Sequence, residues 1–370
     1  MRGLRVLDLS TTLAGAYSTR LLATAGSDVV IVEPPGGSPL RLAPPWLDPP
    51  GTLGPTSAAW EYLQANKRGI VADPGSESLL QLAADMDLVV LSVDGDPAAV
   101  RARADLLRAV KESLVVVVIS SFGLTGRYSG YRSSAVVDWA MGGHLYLTGE
   151  PHREPLAGGG PWSSYLAGAT ATIAAQAGVI RARRTGRGDV VDVGGMESAV
   201  ASHQWSIVLY SHQGVVKGRF GNRHGEAHHP LAIYRCADGW VVIGAVSAHQ
   251  WEGLCIAMDC VELLADESLF APAARFDRAD ELDVLIEAWT SRLPAAAVVD
   301  LLQENRCPAA RVLALSETLQ DPQLQARAYW AAPKNFGPSA RMPEAAFTIG
   351  APVSYEPAPT LGQHQSEVLS

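Results

Sequence analysis

Residues 114–120 read Leu-Val-Val-Val-Val-Ile-Ser, a continuous run of mostly β-branched apolar side chains. A strand that is apolar at every position is buried on both faces, which is typical of the centre of a parallel sheet. Similar runs occupy residues 5–9 (Arg-Val-Leu-Asp-Leu), 28–33 (Asp-Val-Val-Ile-Val-Glu) and 88–93. The sequence therefore predicts several buried strands in its first third.

Helical stretches separate these strands. Residues 14–25 are rich in Ala and Gly and end at Gly26, and residues 77–85 and 97–112 precede the next two strands. Alternation of strand and helix is the pattern of a parallel, doubly wound sheet. We expect an α/β fold with a Rossmann-like parallel-sheet large domain.

The composition is that of a globular protein. The chain has 370 residues, 48% of them hydrophobic and 18% charged, which is enough for a large core and two domains. Its formal net charge of −9 argues against binding to nucleic acid or to an anionic membrane. Residues 1–8 are already strand-like rather than a signal peptide, and no apolar run reaches membrane-spanning length, so we expect cytoplasmic localisation.

The regular alternation of strands and helices ends after Ser121. Residues 165–183 and 196–212 read as helices, and the first of these contains small residues that permit close helix packing. Residues 232–245 alternate as a hairpin through Ala237-Asp-Gly239, and amphipathic helices follow. This part of the chain predicts a smaller α+β domain.

Familiar catalytic motifs are absent from the sequence: it has no G-x-G-x-x-G after the first strand, no phosphate-binding P-loop and no G-x-S-x-G elbow. His224, His228 and His229 cluster in a polar loop, where a solvated linker is favoured over a metal site, so no metal is expected. Lys67 and Arg68 could hold a phosphate as paired cations, although their spacing alone favours a solvated loop.

Short segments along the whole chain resemble the family III CoA-transferases, the group that includes formyl-CoA transferase, carnitine CoA-transferase and 2-methylacyl-CoA racemase. In chain order they are 4–10 (LRVLDLS) with 14–15 (AG), 29–33 (VVIVE) with Arg41, 66–68 (NKR), 120–123 (SSFG) with 125–126 (TG), 140–143 (AMGG), 148–151 (TGEP), 185–188 (TGRG) with 191–193 (VDV), 221–222 (GN), 237–239 (ADG), 307–308 (CP), 321–322 (DP) and 358–362 (APTLG). Each segment is weak alone, but their common order over 370 residues is specific.

The resemblance implies an interlocked dimer in which each chain has a large and a small domain, with coenzyme A or an acyl-CoA bound as substrate on the large domain. The implied boundaries are 1–215 for the N-terminal part of the large domain, 216–330 for the small α+β domain and 331–370 for a C-terminal tail that returns to the large domain. The residues that fall where the family contacts CoA are Thr12, Leu13, Ala14, Arg41, Lys67, Arg68 and Arg132.

One position departs from the family pattern. In the transferases an aspartate attacks the thioester, within an Asp-x-x-x-Gly pattern that enters a small-residue helix ahead of T-G-R-G. Counting back from Thr185 places Ser164 at this position and Gly168 at the glycine. A hydroxyl cannot form a mixed anhydride, and no Asp or Glu occurs between residues 155 and 188. The racemase branch is excluded on the same ground, because serines occupy the positions of its acid–base residues.

Three hypotheses follow. In the first, the protein transfers CoA between an acyl-CoA and a carboxylic acid by non-standard chemistry, with Asp138 as a reacting group and Ser164 and Tyr165 as hydrogen-bond donors. Asp138 is equally well explained as a charge on a helix surface, and His144 is the less favoured candidate. In the second, the chain is a non-catalytic partner in a dimer with an Asp-bearing paralogue, rather than a catalytic homodimer. In the third, it binds acyl-CoA without turnover.

Overall fold

The computed structural model describes residues 3–47, 55–73, 75–93, 95–225, 228–333, 336, 340–349 and 354–369. Its strands are β1 Arg5–Asp8, β2 Asp28–Glu33, β3 Trp46–Leu47, β4 Thr56–Ser57, β5 Arg68–Val71, β6 Leu88–Ser92, β7 Val115–Ser120, β8 Val190–Gly194, β9 Leu231–Arg235, β10 Trp240–Gly244, β11 Ala309–Arg311, β12 Trp330–Ala331 and β13 Met342–Pro343. Its α-helices are α1 Leu13–Thr24, α2 Ala58–Gln64, α3 Glu77–Ala84, α4 Pro97–Ala109, α5 Ala135–Met141, α6 His144–Leu147, α7 Trp162–Thr185, α8 Gly195–Ser202, α9 Gln204–Gln213, α10 Ala248–Ala257, α11 Pro272–Asp277, α12 Ala279–Thr290, α13 Ala295–Glu304, α14 Leu315–Thr318, α15 Pro322–Ala326 and α16 Gln365–Val368.

Six strands form one parallel sheet in the order β5-β2-β1-β6-β7-β8. The chain builds outward from β1 to β2 and β5, and then continues on the other side of β1 with β6, β7 and β8. The direction of building therefore reverses between β1 and β6, as it does in doubly wound nucleotide-binding sheets. The predicted α/β fold with a Rossmann-like sheet is confirmed.

Helices cover both faces of this sheet. Val115 and Val117 of β7 pack in one core cluster with side chains of α1 and α7, whereas Val116 and Val118 pack on the opposite face with side chains of α3 and α4. Each of these four valines is fully buried, which stabilises the fold by roughly 1.5 kcal/mol or more per side chain. Burial on both faces explains why the strand is apolar at every position but its last.

Small residues let α7 lie close against α1. A Cβ atom at Gly168 would come 2.6 Å from the carbonyl oxygen of Ala14, closer than real Cβ contacts allow. One turn further along both helices, the Thr172 hydroxyl contacts the Ser18 hydroxyl at 3.2 Å. The two helices therefore run side by side in the same direction, with their N-terminal turns together.

The C-terminal residues cover the edge strand β5. His364 donates its N–H to the carbonyl of Gly69 at 2.9 Å, and Gly69 donates its own N–H to His364 Nδ1 at 3.0 Å. The Gln365 side chain accepts from the N–H of Val71 at 2.8 Å and donates to its carbonyl at 3.0 Å. Pairing of these backbone groups protects an edge that would otherwise be open to another strand.

The chain divides into two compact units, Met1–Gly143 with Gly158–His203 and Asp321–Ser370 as the first, and His144–Ala157 with Gln204–Gln320 as the second. These divisions differ from the predicted boundaries of 1–215, 216–330 and 331–370. Residues 144–157 belong to the second unit because Arg219 donates to the carbonyls of Tyr146, Glu150 and Arg153, contacts that no sequence pattern indicates.

The second unit is built on a three-stranded antiparallel sheet in the order β11-β10-β9. The predicted hairpin is present as β9 and β10, and Cys236 donates its N–H to the Gly239 carbonyl at 2.8 Å in the turn. Buried Arg275 lies over the Trp251 ring and donates to four backbone carbonyls, which satisfies its guanidinium inside the core. Within the described residues, no helix of either unit has the length and apolarity needed to cross a membrane.

Candidate functional site

A cavity of about 900 Å³ opens in the first unit at the carboxyl ends of β1, β6 and β7. Its walls include Thr12 and Ala14 after β1, residues 95–97 after β6 and residues 120–122 at the end of β7. This is the place where the strand order reverses, and doubly wound sheets bind their ligands there. The volume suits a ligand of cofactor size.

Hydroxyl groups dominate the polar lining of this cavity. Its serines are Ser120, Ser121, Ser129, Ser133, Ser134 and Ser164. Among the described residues that line it, the charged ones are Asp96, Arg132 and Asp138. The cavity therefore offers many hydrogen-bonding groups, one exposed cation and two carboxylates, of which only Asp138 is buried.

Asp138 lies on α5 and is 6% exposed. Ser133 donates its hydroxyl to one carboxylate oxygen at 2.6 Å, and Ser121 donates to the other at 3.2 Å. Burial raises the pKa of Asp138, and the two serine hydrogen bonds offset part of that rise. A carboxylate with a raised pKa is more basic, and therefore more nucleophilic, than an exposed one. The alternative interpretation of Asp138 as a surface charge is excluded by its burial.

The Asp138 carboxylate fits closely against the start of α8. A Cβ atom at Gly195 would come 2.8 Å from Asp138 Oδ2, so only glycine leaves the carboxylate its present position. A Cβ atom at Gly142 would meet Ala199 at 2.4 Å, which shows how closely α5 packs on α8. The carboxylate is therefore held by sterics as well as by hydrogen bonds.

Ser164 lines the same cavity from the first turn of α7. That turn is fixed by its neighbour Ser163, whose buried hydroxyl donates to the carbonyl of Ala135 on α5 at 2.7 Å. Ser164 of α7 and Asp138 of α5 therefore line the same cavity. Tyr165 points elsewhere: its ring meets Tyr17 edge-on at 4.8 Å between centroids and belongs to a separate core cluster.

The residues predicted to contact CoA fall into two groups. Thr12, Ala14 and Arg132 line the cavity, and the Thr12 hydroxyl also caps α1 by accepting the Gly15 N–H at 3.4 Å. Leu13 does not line it, because its side chain packs in the same core cluster as Tyr165.

Arg41 and Arg68 are held in ion pairs away from the cavity lining. Arg41 makes a two-pronged pair with Glu33, with both nitrogen–oxygen distances 2.7 Å, and its guanidinium lies 3.8 Å from the centre of the Trp60 ring. Arg68 pairs with Asp28 at 2.6 Å on the surface. His144, the less favoured candidate, begins α6 in the second unit.

Lys67 is buried in the core instead of facing the cavity. Its Nζ lies 2.6 Å from Gln64 Oε1, 2.7 Å from the Thr19 hydroxyl, 2.9 Å from the Ala16 carbonyl and 3.5 Å from Asp8 Oδ2. An ammonium group has three donors, and these neighbours occupy them. The expected phosphate contact by Lys67 therefore has no support in the structure, because a buried pair with Asp8 takes the place of the solvated loop.

Sequence reasoning missed Ser121, Ser133, Gly195 and Asp96. Asp96 and Ser121 could have been predicted from the topology, because each follows a predicted strand. The carboxyl ends of parallel strands meet at one edge of the sheet, where ligands bind. Gly195 follows β8 in the same way, but its close contact with Asp138 depends on the packing of α5 against α8. For the metal question, the described residues contain no group of three or more His, Cys, Asp or Glu side chains arranged to hold an ion.

A doubly wound parallel sheet with a cavity at its switch point is the architecture in which many α/β proteins bind nucleotides and cofactors. The sequence profile of CoA-transferase family III matches residues 1–365, and the chain belongs to this family. The resemblance of the short segments is thereby confirmed.

Individual relatives agree with this assignment. The chain is 33% identical over 330 residues to the succinyl-CoA–D-citramalate CoA-transferase of Chloroflexus aurantiacus, covering 87% of this chain and 81% of that protein. It is 28% identical over 384 residues to the succinate–glutarate CoA-transferase of Agrobacterium fabrum, covering 100% and 95%. A CAIB/BAIF family protein from Brucella suis has a similar structure, with a TM-score of 0.84 at 26% identity over 99% of this chain and 98% of that one. Some other relatives are named as subunits of heteromeric CoA-transferases.

Proposed function

We propose that this protein transfers CoA from an acyl-CoA to a carboxylic acid, with the thioester held in the cavity of the first unit and Asp138 as the reacting carboxylate. The observation that carries the proposal is the burial of Asp138 at the switch-point cavity that Ser164 also lines, where two serine hydroxyls orient the carboxylate. It has the functional group that the family's chemistry requires, and Ser164 does not.

The chemistry balances in four displacements. A carboxylate oxygen of Asp138 attacks the thioester carbon, the carbon–sulfur bond breaks, and a mixed anhydride and CoA thiolate result. The thiolate attacks the Asp138 carbonyl carbon, which releases the donor acid as carboxylate and leaves an aspartyl-CoA thioester. The acceptor carboxylate then attacks this thioester and again frees CoA thiolate, which attacks the acceptor carbonyl, gives the new acyl-CoA and regenerates Asp138.

The other residues of the cavity have supporting roles in this proposal. Ser164 donates a hydrogen bond to the thioester oxygen as negative charge develops on it. Arg132 is an exposed cation at the cavity, which suits a phosphate or carboxylate group of the ligand. Thr12 and Ala14 form the wall on which the CoA chain lies. Tyr165 supports Ser164 through its packing on Tyr17 rather than by contact with substrate.

The first acyl donor to test is succinyl-CoA. Two relatives compared above are named for transfer between succinyl-CoA or succinate and another acid. A dicarboxylic acyl group carries a free carboxylate, and the hydroxyl-lined cavity with Arg132 offers polar contacts for it.

A second candidate function is that of a non-catalytic partner subunit, and the serine at position 164 favours it. The apolar helix α9 supports an assembly in either case. Its Trp205 and Tyr210 are 54% and 61% exposed, and α9 buries none of its residues within the described part of this chain. A helix of ten residues is marginal in water without packing, so we propose that a second chain covers it in a homodimer or in a heterodimer with an Asp-bearing paralogue.

Acyl exchange tests the proposal and separates it from the alternatives. The purified protein is incubated with succinyl-CoA and a panel of carboxylic acids, and new acyl-CoA is measured by mass spectrometry. We expect exchange by the wild type, a loss of about a hundredfold or more in Asp138→Asn, and a smaller loss in Ser164→Ala. Asp96→Asn is the matched control, because Asp96 lines the same cavity but is exposed and its capping contact to the Ala98 N–H survives as Asn.

The results that overturn the proposal are equally specific. Full exchange by Asp138→Asn would remove Asp138 from the chemistry. If the wild type binds succinyl-CoA without exchange and Ser164→Asp gains exchange, the chain is a partner subunit that lacks its nucleophile. Binding without exchange in both proteins would indicate an acyl-CoA-binding protein.

A further inference from the structure

A buried ion pair lies directly behind the cavity wall formed by the β1–α1 turn. Asp8 is the last residue of β1 and is 2% exposed, and Lys67 precedes β5 and is 4% exposed. Lys67 Nζ lies 3.5 Å from Asp8 Oδ2, and the Thr19 hydroxyl donates to that same oxygen. The proposed chemistry uses neither charge, so a pair that is costly to bury needs another explanation.

The other carboxylate oxygen of Asp8, Oδ1, shapes the turn. Asp8 Oδ1 accepts the N–H of Ser10 at 3.0 Å and its hydroxyl at 2.6 Å. Ser10 fits so closely against α1 that a Cβ atom at Gly15 would come 2.2 Å from its hydroxyl oxygen. The next residue, Thr11, donates its N–H to the Ser92 hydroxyl of β6 at 3.0 Å. The turn is thereby fixed at Ser10 and at Thr11.

We propose that the Asp8–Lys67 pair positions the β1–α1 turn for acyl-CoA, so that Thr12 and Ala14 form the cavity wall in a binding-competent geometry. Both residues act through the turn without touching the ligand, and are positioning residues. The inference rests on the proposed function, because it takes acyl-CoA as the ligand of this cavity.

The charge balance around the pair makes its effect on the turn testable by pH. The side chains around Lys67 include Asp8 of β1, Arg20 of α1 and the neutral Gln64 of α2. Burial lowers the pKa of Lys67 to about 8, with Asp8 acting in the opposite direction and Arg20 in the same one. Above that pH the Asp8 charge loses its partner, and the turn that Asp8 holds is expected to loosen.

The experiment measures acetyl-CoA affinity by calorimetry at pH 7 and across pH 7–9.5, since acetyl-CoA has no thiol to titrate. Asp8→Asn and Lys67→Met each remove one charge, and Asp8→Asn/Lys67→Met removes both. Thr172→Val is the matched control, because it removes a buried hydroxyl contact between α7 and α1 that involves neither the ion pair nor residues 10–12. All proteins are first checked for folding by circular dichroism and thermal denaturation.

We expect each single variant to bind acetyl-CoA about tenfold more weakly, the factor that one lost buried hydrogen bond of the turn represents. The double variant is expected to recover part of this loss, because no charge is left unpaired. Wild-type affinity should fall above about pH 8, as the Lys67 pKa requires, and the double variant should lack that fall. Thr172→Val should lose stability but keep its affinity.

Two failures are distinguishable. If the folded wild type binds neither acetyl-CoA nor succinyl-CoA, the proposed function is wrong and this inference falls with it. If the wild type binds but Asp8→Asn and Lys67→Met bind equally well, only the positioning role is overturned. Should both single variants fail to fold, Ser10→Ala keeps the ion pair and removes only the turn's hydroxyl contact, and unchanged affinity there would also overturn the inference.

Discussion

Replacing Gly195 by alanine should slow acyl transfer while leaving acyl-CoA binding intact. The new Cβ atom would stand 2.8 Å from Oδ2 and 3.3 Å from Cγ of Asp138. Ordinary contact begins near 3.4 Å, so the carboxylate must retreat by roughly 0.6 Å. The same Oδ2 accepts the hydrogen bond from Ser121, which is worth about 1 kcal/mol and is disturbed by that movement. Because a 1 Å misplacement of a reacting group can cost about a hundredfold, we expect kcat to fall between about tenfold and a hundredfold.

The assay is steady-state acyl exchange from succinyl-CoA, with kcat and KM determined separately and with the acetyl-CoA dissociation constant measured by calorimetry. Gly178→Ala is the matched control, because its Cβ atom would meet Val115 Cγ1 at 2.9 Å in the core beneath α7. Overpacking there costs about 1–3 kcal/mol of stability and does not reach the cavity. An unchanged kcat in Gly195→Ala, or a loss of kcat in both variants in proportion to their loss of stability, would contradict a positioning effect of Gly195 on Asp138.

Three further predictions follow from the same contacts. Ser133→Ala removes a hydrogen bond that lowers the pKa of Asp138, so the pKa of Asp138 should rise. The rising limb of kcat/KM against pH should therefore move to higher pH, and a limb that stays in place would contradict this. Arg132→Ala should weaken acyl-CoA binding about tenfold and reduce its salt dependence in calorimetry, whereas equal affinity at all salt concentrations would remove Arg132 from the site. Burial raises the pKa of Asp283, but hydrogen bonds from neighbours such as Tyr234 bring the pKa below its usual value, which stabilises the fold above about pH 4. Asp283→Asn should therefore lower Tm at pH 7, and its difference from the wild type should shrink as the pH falls below about 4; a difference independent of pH would show that the Asp283 charge is not involved.

The sheet was predictable because its signals are local. The run at 114–120 is apolar at nearly every position, and the structure places β7 inside the sheet with both faces covered. Boundaries were less predictable: the helix expected at 196–212 is divided at His203 into α8 and α9. No glycine or proline stands at residues 202–204 to mark the break in the sequence.

The site was only partly predictable, because its contacts join distant parts of the chain. Ser164 followed from its distance to the T-G-R-G segment, and the structure places it at the cavity. For Asp138 the sequence left a reactive group and a surface charge equally open, since only the packing of α5 against α7 and α8 buries it. The surroundings of Lys67 could not be predicted, because its partner Asp8 is 59 residues away and no local pattern indicates that folding brings the two together.

The most direct test of the central claim is to locate the covalent intermediate. The protein is mixed with succinyl-CoA without an acceptor acid, quenched, and its intact mass and peptides are measured. We expect an adduct of one CoA joined with loss of water, mapped to the peptide that contains Asp138 and absent from Asp138→Asn. Exchange activity with the adduct on another residue, or with none on Asp138 under conditions of turnover, would contradict it.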